Sequence, residues 1–143
     1  MTRVLNILMS SLYLQAFNKQ LSEFLDDVER VFPNDVDIKA GKNSLLLLKK
    51  ANPRKIIEVW KTYVTDPYFA KIENNEIEFF INKDYNSDIG IDSKSEVISA
   101  IDRLRDPIRR MEEDDKQVVM KYLLNLCKLT ILYLFHPTFL AIF

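Results

Sequence analysis

FNKQLSEFLDDVERVF, residues 17–32, decides the fold class. Phe17, Leu21, Phe24, Leu25, Val28, Val31 and Phe32 recur at three- and four-residue steps, the period of one helix face. Asp26, Asp27, Glu29 and Arg30 take the opposite face. The helix reads back to about residue 9. It stops at Pro33, because a residue before proline is pushed out of helical geometry. Asn34-Asp35 then supplies a turn and a cap for the next helix.

The same period continues downstream. Residues 36–51 form a second helix, weakened in its middle by Gly41 and Asn43. Leu45 to Leu48 covers every side of one helix turn, which predicts burial on more than one side. Asn52-Pro53 pairs a cap with a proline suited to the first helical position, so a third helix is expected there, running to about Val64. Its inward residues are Ile56, Ile57, Trp60, Tyr63 and Val64. Asp66-Pro67 repeats the signal and opens a short helix through Ile72, and Asn74-Asn75 turns the chain. Residues 76–82, EIEFFIN, fit a strand or a helix turn by spacing; the absence of a partner strand favours helix. Residues 83–92 read as a loop. Ser93-Lys94-Ser95-Glu96 matches a capping box for a helix carrying Val97, Ile98, Ile101 and Leu104. That helix is expected to break near Asp106-Pro107, with Ile108 and Met111 in a further turn. A final helix runs from about Asp114 to Phe135, with Val118, Tyr122, Leu123, Leu126, Leu129 and Tyr133 as its stripe. The acids Glu112 to Asp115 suit its N-terminal dipole, and His136-Pro137 is expected to end it. The fold class is therefore all-α: a compact single-domain bundle of about five to seven helices. Residues 1–16 are an N-terminal extension or the start of the first helix, 17–135 the helical domain, and 136–143 an apolar C-terminal tail.

Composition agrees. The chain has 143 residues, one domain by size, with 48% hydrophobic and 29% charged residues, a globular balance. A net charge of −1 provides no overall basic field for nucleic acid or anionic lipid. Two glycines argue against sites built on Gly-rich loops. One cysteine, Cys127, allows no intrachain disulfide and fits a reducing compartment. The opening run MTRVLNILMSSLYLQAF is interrupted by Asn6, Ser10, Ser11 and Gln15, which makes a poor signal peptide.

The chain ends in LTILYLFHPTFLAIF, residues 129–143, without a formal charge. Fifteen helical residues span about 22 Å, short of the ~30 Å hydrocarbon core. Packing against protein is therefore expected, with contact to an inner-membrane surface as the alternative. Phe139, Leu140, Ile142 and Phe143 are the expected partner-binding residues.

Few patterns point to chemistry. Asp84, Asn86 and Asp88 match the first, third and fifth ligand positions of an EF-hand loop. Gly90 and Glu96 then arrive one residue late, so a polar turn is the expected reading. Lys49, Lys50, Arg54 and Lys55 form one basic cluster; Arg103, Arg105, Arg109 and Arg110 form another. Either offers phosphate or acidic-partner contacts, but acids dilute both and no interleaved aromatics would stack on bases. The lone His136 lacks an adjacent acid, and Cys127 reads as a buried, inert thiol. No catalytic residue, metal ligand or cofactor is expected, and the chain is not read as an enzyme.

Several segments together carry a resemblance. Phe32-Pro33-Asn34-Asp35 with Asp37-Ile38, Lys49-Lys50-Ala51-Asn52-Pro53-Arg54-Lys55-Ile56-Ile57 and Trp60 resemble small helical proteins of the nucleocytoplasmic large DNA viruses, the algal and giant viruses. Pro67-Tyr68, Lys83-Asp84-Tyr85, the run from Ile101 to Met111 and Lys121 to Leu126 continue it over residues 17–133. These are packing and capping motifs, and no catalytic residue is carried over. The resemblance implies a viral setting: a minor capsid or virion protein with capsid neighbours as partners, found in the virion and in host cytoplasm during assembly. The alternative is a nucleic-acid-associated or regulatory viral factor using Lys49 to Lys55 and Arg103 to Arg110.

Overall fold

Two helices of 30 residues each, α1 (Thr2–Val31) and α7 (Glu113–Ile142), form the long axis of the protein, about 45 Å at the usual helical rise. The computed structural model describes residues 2–82 and 96–142. Between the two long helices come α2 (Val36–Ala51), α3 (Lys55–Trp60), a π-helical turn (Lys61–Thr65), α4 (Asp66–Glu73), α5 (Ile77–Asn82) and α6 (Glu96–Arg109). No strand occurs among the described residues, so the chain is an all-α, single-domain bundle.

α1 and α7 pack antiparallel. Tyr122 donates a hydrogen bond to Asp27, and its ring lies 5.3 Å from that of Phe24. Asn125 meets Gln20 at 3.4 Å. Residue numbers fall along one helix as they rise along the other, so the C-terminal half of α7 runs beside the N-terminal half of α1. α2 and α6 form a second antiparallel pair. Arg110 holds Asp35 at 2.7 Å at one end, and Gly41 faces Ala100 and Leu104 further along. Lys42 ties α2 to α1 through Asp26 (2.9 Å) and Glu29 (3.0 Å), and its hydrogen bonds to those two acids raise its pKa. The shared core centres on Phe17, Leu25, Ile38, Leu45, Ile56, Ile57, Ile98 and Leu126. Trp60 closes it edge-on against Phe17, with ring centres 6.0 Å apart.

Local chemistry explains most boundaries. Asp35 caps α2: its side chain accepts from the N–H groups of Asp37 (2.9 Å) and Ile38 (3.1 Å). The Ile38 N–H and then Arg110 hold its carboxyl below the ordinary value. Asn75 takes a left-handed conformation (φ 61°) between α4 and α5, which asparagine tolerates better than most residues. Residues 77–82 are helical, as the missing partner strand predicts.

Several expectations are corrected. α1 begins at Thr2, well before residue 9. Asn52 ends α2 by donating to the Leu48 carbonyl (2.7 Å), and α3 starts only at Lys55 after a turn closed by Lys55 N–H on the Asn52 carbonyl (3.1 Å). Leu47 is largely exposed, and Val118 is half-exposed while its neighbour Val119 is buried. Prolines stop the chain less often than their local chemistry predicts. α6 runs through Pro107 to Arg109, and α7 runs through His136-Pro137 to Ile142, so residues 136–142 continue a helix and are not a separate tail. A proline inside a helix forfeits one hydrogen bond, which neighbouring helix packing can offset. At Pro67 the chain uses another device. The π turn puts the Asp66 N–H on the Lys61 carbonyl, five residues back, and widens the helix before the proline ring arrives. The capping box apart from Glu96, and the loop from Lys83 to Asp92, lie outside the described residues.

Gly41 is where α2 comes closest to α6. A Cβ there would sit 3.1 Å from the Ala100 carbonyl oxygen and 3.4 Å from Leu104. Gly41→Leu is expected to destabilise the fold by about 2–3 kcal/mol through overpacking. Gly41→Ala should cost less, because alanine recovers ~1 kcal/mol of helix propensity. Urea midpoints at constant slope measure both.

Tyr122 gives a pH signature. Its hydrogen bond to Asp27 and then its burial push its pKa to about 12. The folded value lies above the unfolded 10.0, so this contribution is whole below pH 10 and is lost as pH rises towards 12. Tyr122→Phe should cost about 1 kcal/mol at neutral pH and remove that alkaline loss in denaturation at pH 9 to 12.

Candidate functional site

The upper end of the α1–α7 pair is the feature that packing inside the chain leaves unexplained. From Phe17 onward α1 is amphipathic: Phe17, Leu21, Phe24, Leu25 and Val28 are buried, while Lys19, Glu23 and Asp26 are exposed. Before Phe17 the apolar residues do not respect that division. Val4, Leu5, Ile7, Leu8 and Leu12 are between 53% and 65% exposed. Val4, Leu8 and Leu12 stand one above the other at four-residue spacing. Further down, the same face carries Gln15, Lys19, Glu23 and Asp26. Apolar residues therefore occupy the face of α1 that points away from the core, and only above Gln15. Ile131 and Leu132 of α7, also partly exposed, lie at the same end. Such a patch on a water-facing helix marks a contact surface or an aggregation liability.

The expected partner residues Phe139, Leu140 and Ile142 lie on the α7 backbone at this end, and their side chains are outside the described residues, as is Phe143. Sequence reasoning misses the α1 half of the surface. Its signal is legible: Val4, Leu8 and Leu12 share a helix face with Lys19 and Glu23, not with Phe17 and Leu21.

The two basic clusters stay apart. Arg109 pairs with Asp106 (2.9 Å) and donates to the Ile81 carbonyl (2.6 Å). Arg110 pairs with Asp35 and stacks over Phe32, 5.2 Å from the ring centre. Both are engaged in holding α5, α1 and α2 to the end of α6. Arg103 is exposed on the middle of α6. Lys49 reaches the Ser22 hydroxyl at 3.0 Å, whereas Lys50, Arg54 and Lys55 are exposed at the α2–α3 corner. That corner and Arg110 sit at opposite ends of α2, roughly 24 Å apart by helical rise. A single phosphate backbone would not find these residues as one stripe.

The interior offers little room for a substrate. A void of about 50 Å³ lies among Leu21, Phe24, Leu45, Trp60, Leu104 and Leu123, far below the roughly 300 Å³ at which ligand pockets begin. A groove of about 230 Å³ between the lower end of α1 and the start of α7 contains Asp27, Arg30, Asp115 and Tyr122. Asp27 there already accepts from Tyr122 and pairs with Arg30 at 2.6 Å. Among the described residues no group of three His, Cys, Asp or Glu is placed to hold a metal ion. The calcium-loop candidate, Glu96 excepted, lies outside those residues. No described helix is long and apolar enough to cross a membrane.

Cys127 is fully buried beside a small polar knot. Thr130 donates to the Cys127 carbonyl (2.7 Å), which leaves Thr65 as donor in the 2.8 Å contact between the two threonine hydroxyls. Burial pushes the thiol pKa up, and the neighbouring Thr65 and Trp60 side chains only partly offset it. At pH 8 Cys127 is therefore expected to ignore a disulfide reagent such as Ellman's in the native protein and to react fully in urea. Rapid native reaction would mark it as an activated thiol instead.

Comparison with protein-family models, with curated proteins and with solved structures finds no match to this chain.

Proposed function

We propose that this chain is an interaction protein, not an enzyme, and that it docks on a neighbour through the apolar tip of α1 and α7. The observation that carries the reading is the outward stripe Val4, Leu8 and Leu12 on a helix whose lower half is conventionally amphipathic. A helix face exposing this much aliphatic surface is stable in water only at a cost that contact would recover, at about 25 cal/mol per Å² removed from solvent. The uncharged sequence 129–143 at the same end supports it. The viral part of the proposal, a minor capsid component beside capsid neighbours, rests on the sequence resemblance alone.

The second reading, a nucleic-acid or regulatory factor, draws its support from Lys50, Arg54 and Lys55 at the α2–α3 corner. The engagement of Arg109 and Arg110 in internal contacts makes it the weaker of the two.

Leu8→Glu and Leu12→Glu place a charge on the tip without touching the core. The unaltered chain is expected to co-sediment with virus particles, and each variant to leave helicity by circular dichroism unchanged while losing that association. Truncation after His136 should weaken the same association. Co-sedimentation equal to that of the unaltered chain in all three variants would overturn the docking reading.

A further inference from the structure

We propose that the neighbour seated on the tip is a second copy of this chain, paired through α1 about a twofold axis at Leu8; the proposal rests on the docking reading above. Three observations on the exposed stripe point to that occupant. The first is its symmetry. Val4, Leu8 and Leu12 are spaced four and four, so the stripe is its own complement when a second α1 lies across it in the opposite direction. Val4 of one copy then meets Leu12 of the other, and Leu8 meets Leu8. A twofold interface needs this self-complementarity, because the same patch must serve both sides. Rows at four-residue spacing also interdigitate in the commonest helix-packing class, with axes crossing near about −50°.

The second is charge. The stripe carries no charged residue; Arg3, next to Val4 in sequence, lies about 100° round the helix from it. A strongly charged protein or an anionic lipid surface would find little to pair with there. A second copy brings no charge of its own into the contact, and a net charge of −1 leaves little repulsion between whole chains. Insertion of the tip end-on into lipid would carry Arg3 with it, where a cation is costly.

The third is area. Val4, Leu5, Leu8 and Leu12 are each more than half exposed on the outward side. Burying them on both copies would cover about half of the ~800 Å² that each partner buries in an interface of standard size, which places the pairing among the weaker, concentration-dependent ones. Below Leu12 the same face turns to Gln15, Lys19, Glu23 and Asp26, a polar rim of both signs that limits the contact to the tip.

Sedimentation velocity of the full chain, across roughly 1–100 µM where even weak interfaces of this size saturate, tests the pairing. A species of twice the 16.8 kDa chain mass is expected, and Leu8→Glu should weaken it by at least about 30-fold, as for a central contact residue. Leu12→Glu serves as a second variant at a separate turn. Leu8→Cys should give a symmetric disulfide dimer under mild oxidation, since the twofold axis brings the two residues together, whereas the buried Cys127 should not cross-link. A chain that stays monomeric throughout, or a dimer indifferent to Leu8→Glu and Leu12→Glu, overturns self-pairing. If that monomer still loses particle association on Leu8→Glu, the docking reading stands with a different protein as partner. If it floats with vesicles instead, lipid is the occupant. If it does neither, both proposals fall.

Discussion

The antiparallel contact between α1 and α7 is the constraint on which the rest of the architecture depends. The two helices are the first and last described elements, so their pairing closes the chain on itself and encloses everything between. Phe17, Leu21, Phe24 and Leu25 from one side and Leu126 from the other belong to one core that the shorter helices complete. Trp60 leans on Phe17, and the Thr65 hydroxyl reaches Thr130, so the α3–α4 run is fastened to both long helices at the same level. The α2–α6 pair is fastened differently, by the close approach at Gly41 and by the Asp35–Arg110 bridge. The bundle is thus one long pair carrying a second pair on its lower part, and the first turns of α1 extend past what the shorter helices cover.

Polar groups inside this arrangement serve placement more than energy. Asp35 does three jobs at once: it caps α2, meets Arg110 and, through Arg110, anchors the cation stacked on Phe32. The bridge is partly solvated, so its net contribution is small, and its value lies in fixing how α6 ends against the α1–α2 turn. The threonine pair is the opposite case. Both hydroxyls are buried, and each has a partner, so leaving either one unpaired would cost more than the bond itself contributes.

Much of this is legible in the sequence, for a definite reason. The stripe from Phe17 to Val28 has the helical period and little else to satisfy, so local pattern and tertiary packing agree. Asp35 as a cap and Pro33 as a stop are local chemistry and can be read directly. Pro107 and Pro137 cannot. Whether a proline ends a helix depends on what packs against the turn it weakens, and that is set by helices distant in sequence. Leu47 misleads for the same reason, since four adjacent leucines report hydrophobicity but not which side has a neighbour. The apolar C-terminus stands out as a sequence feature, but its counterpart on α1 reads, by itself, only as a poor targeting segment. Its importance emerges only when antiparallel pairing puts the beginning of the chain beside its end. The divided fate of the two basic stretches is equally invisible, because Asp35 and the Ile81 carbonyl are far in sequence from the arginines they hold.

The π turn has a consequence for helical phase. Ile56, Trp60, Val64, Tyr68 and Ile72 are spaced four residues apart, and all are at least partly buried. In an ordinary α-helix each four-residue step overshoots one turn by about 40°, so sixteen residues would carry Ile72 about 160° away from Ile56 and out into water. The wider turn at Lys61 to Thr65 unwinds the helix in mid-course and takes back part of that drift. It works as a phase corrector: a single inserted step of looser winding keeps a four-residue sequence rhythm on one side of a rod whose natural rhythm is about 3.6. The chain can therefore run without a break from the α2 corner to the Asn75 turn and still present one continuous seam to the two long helices.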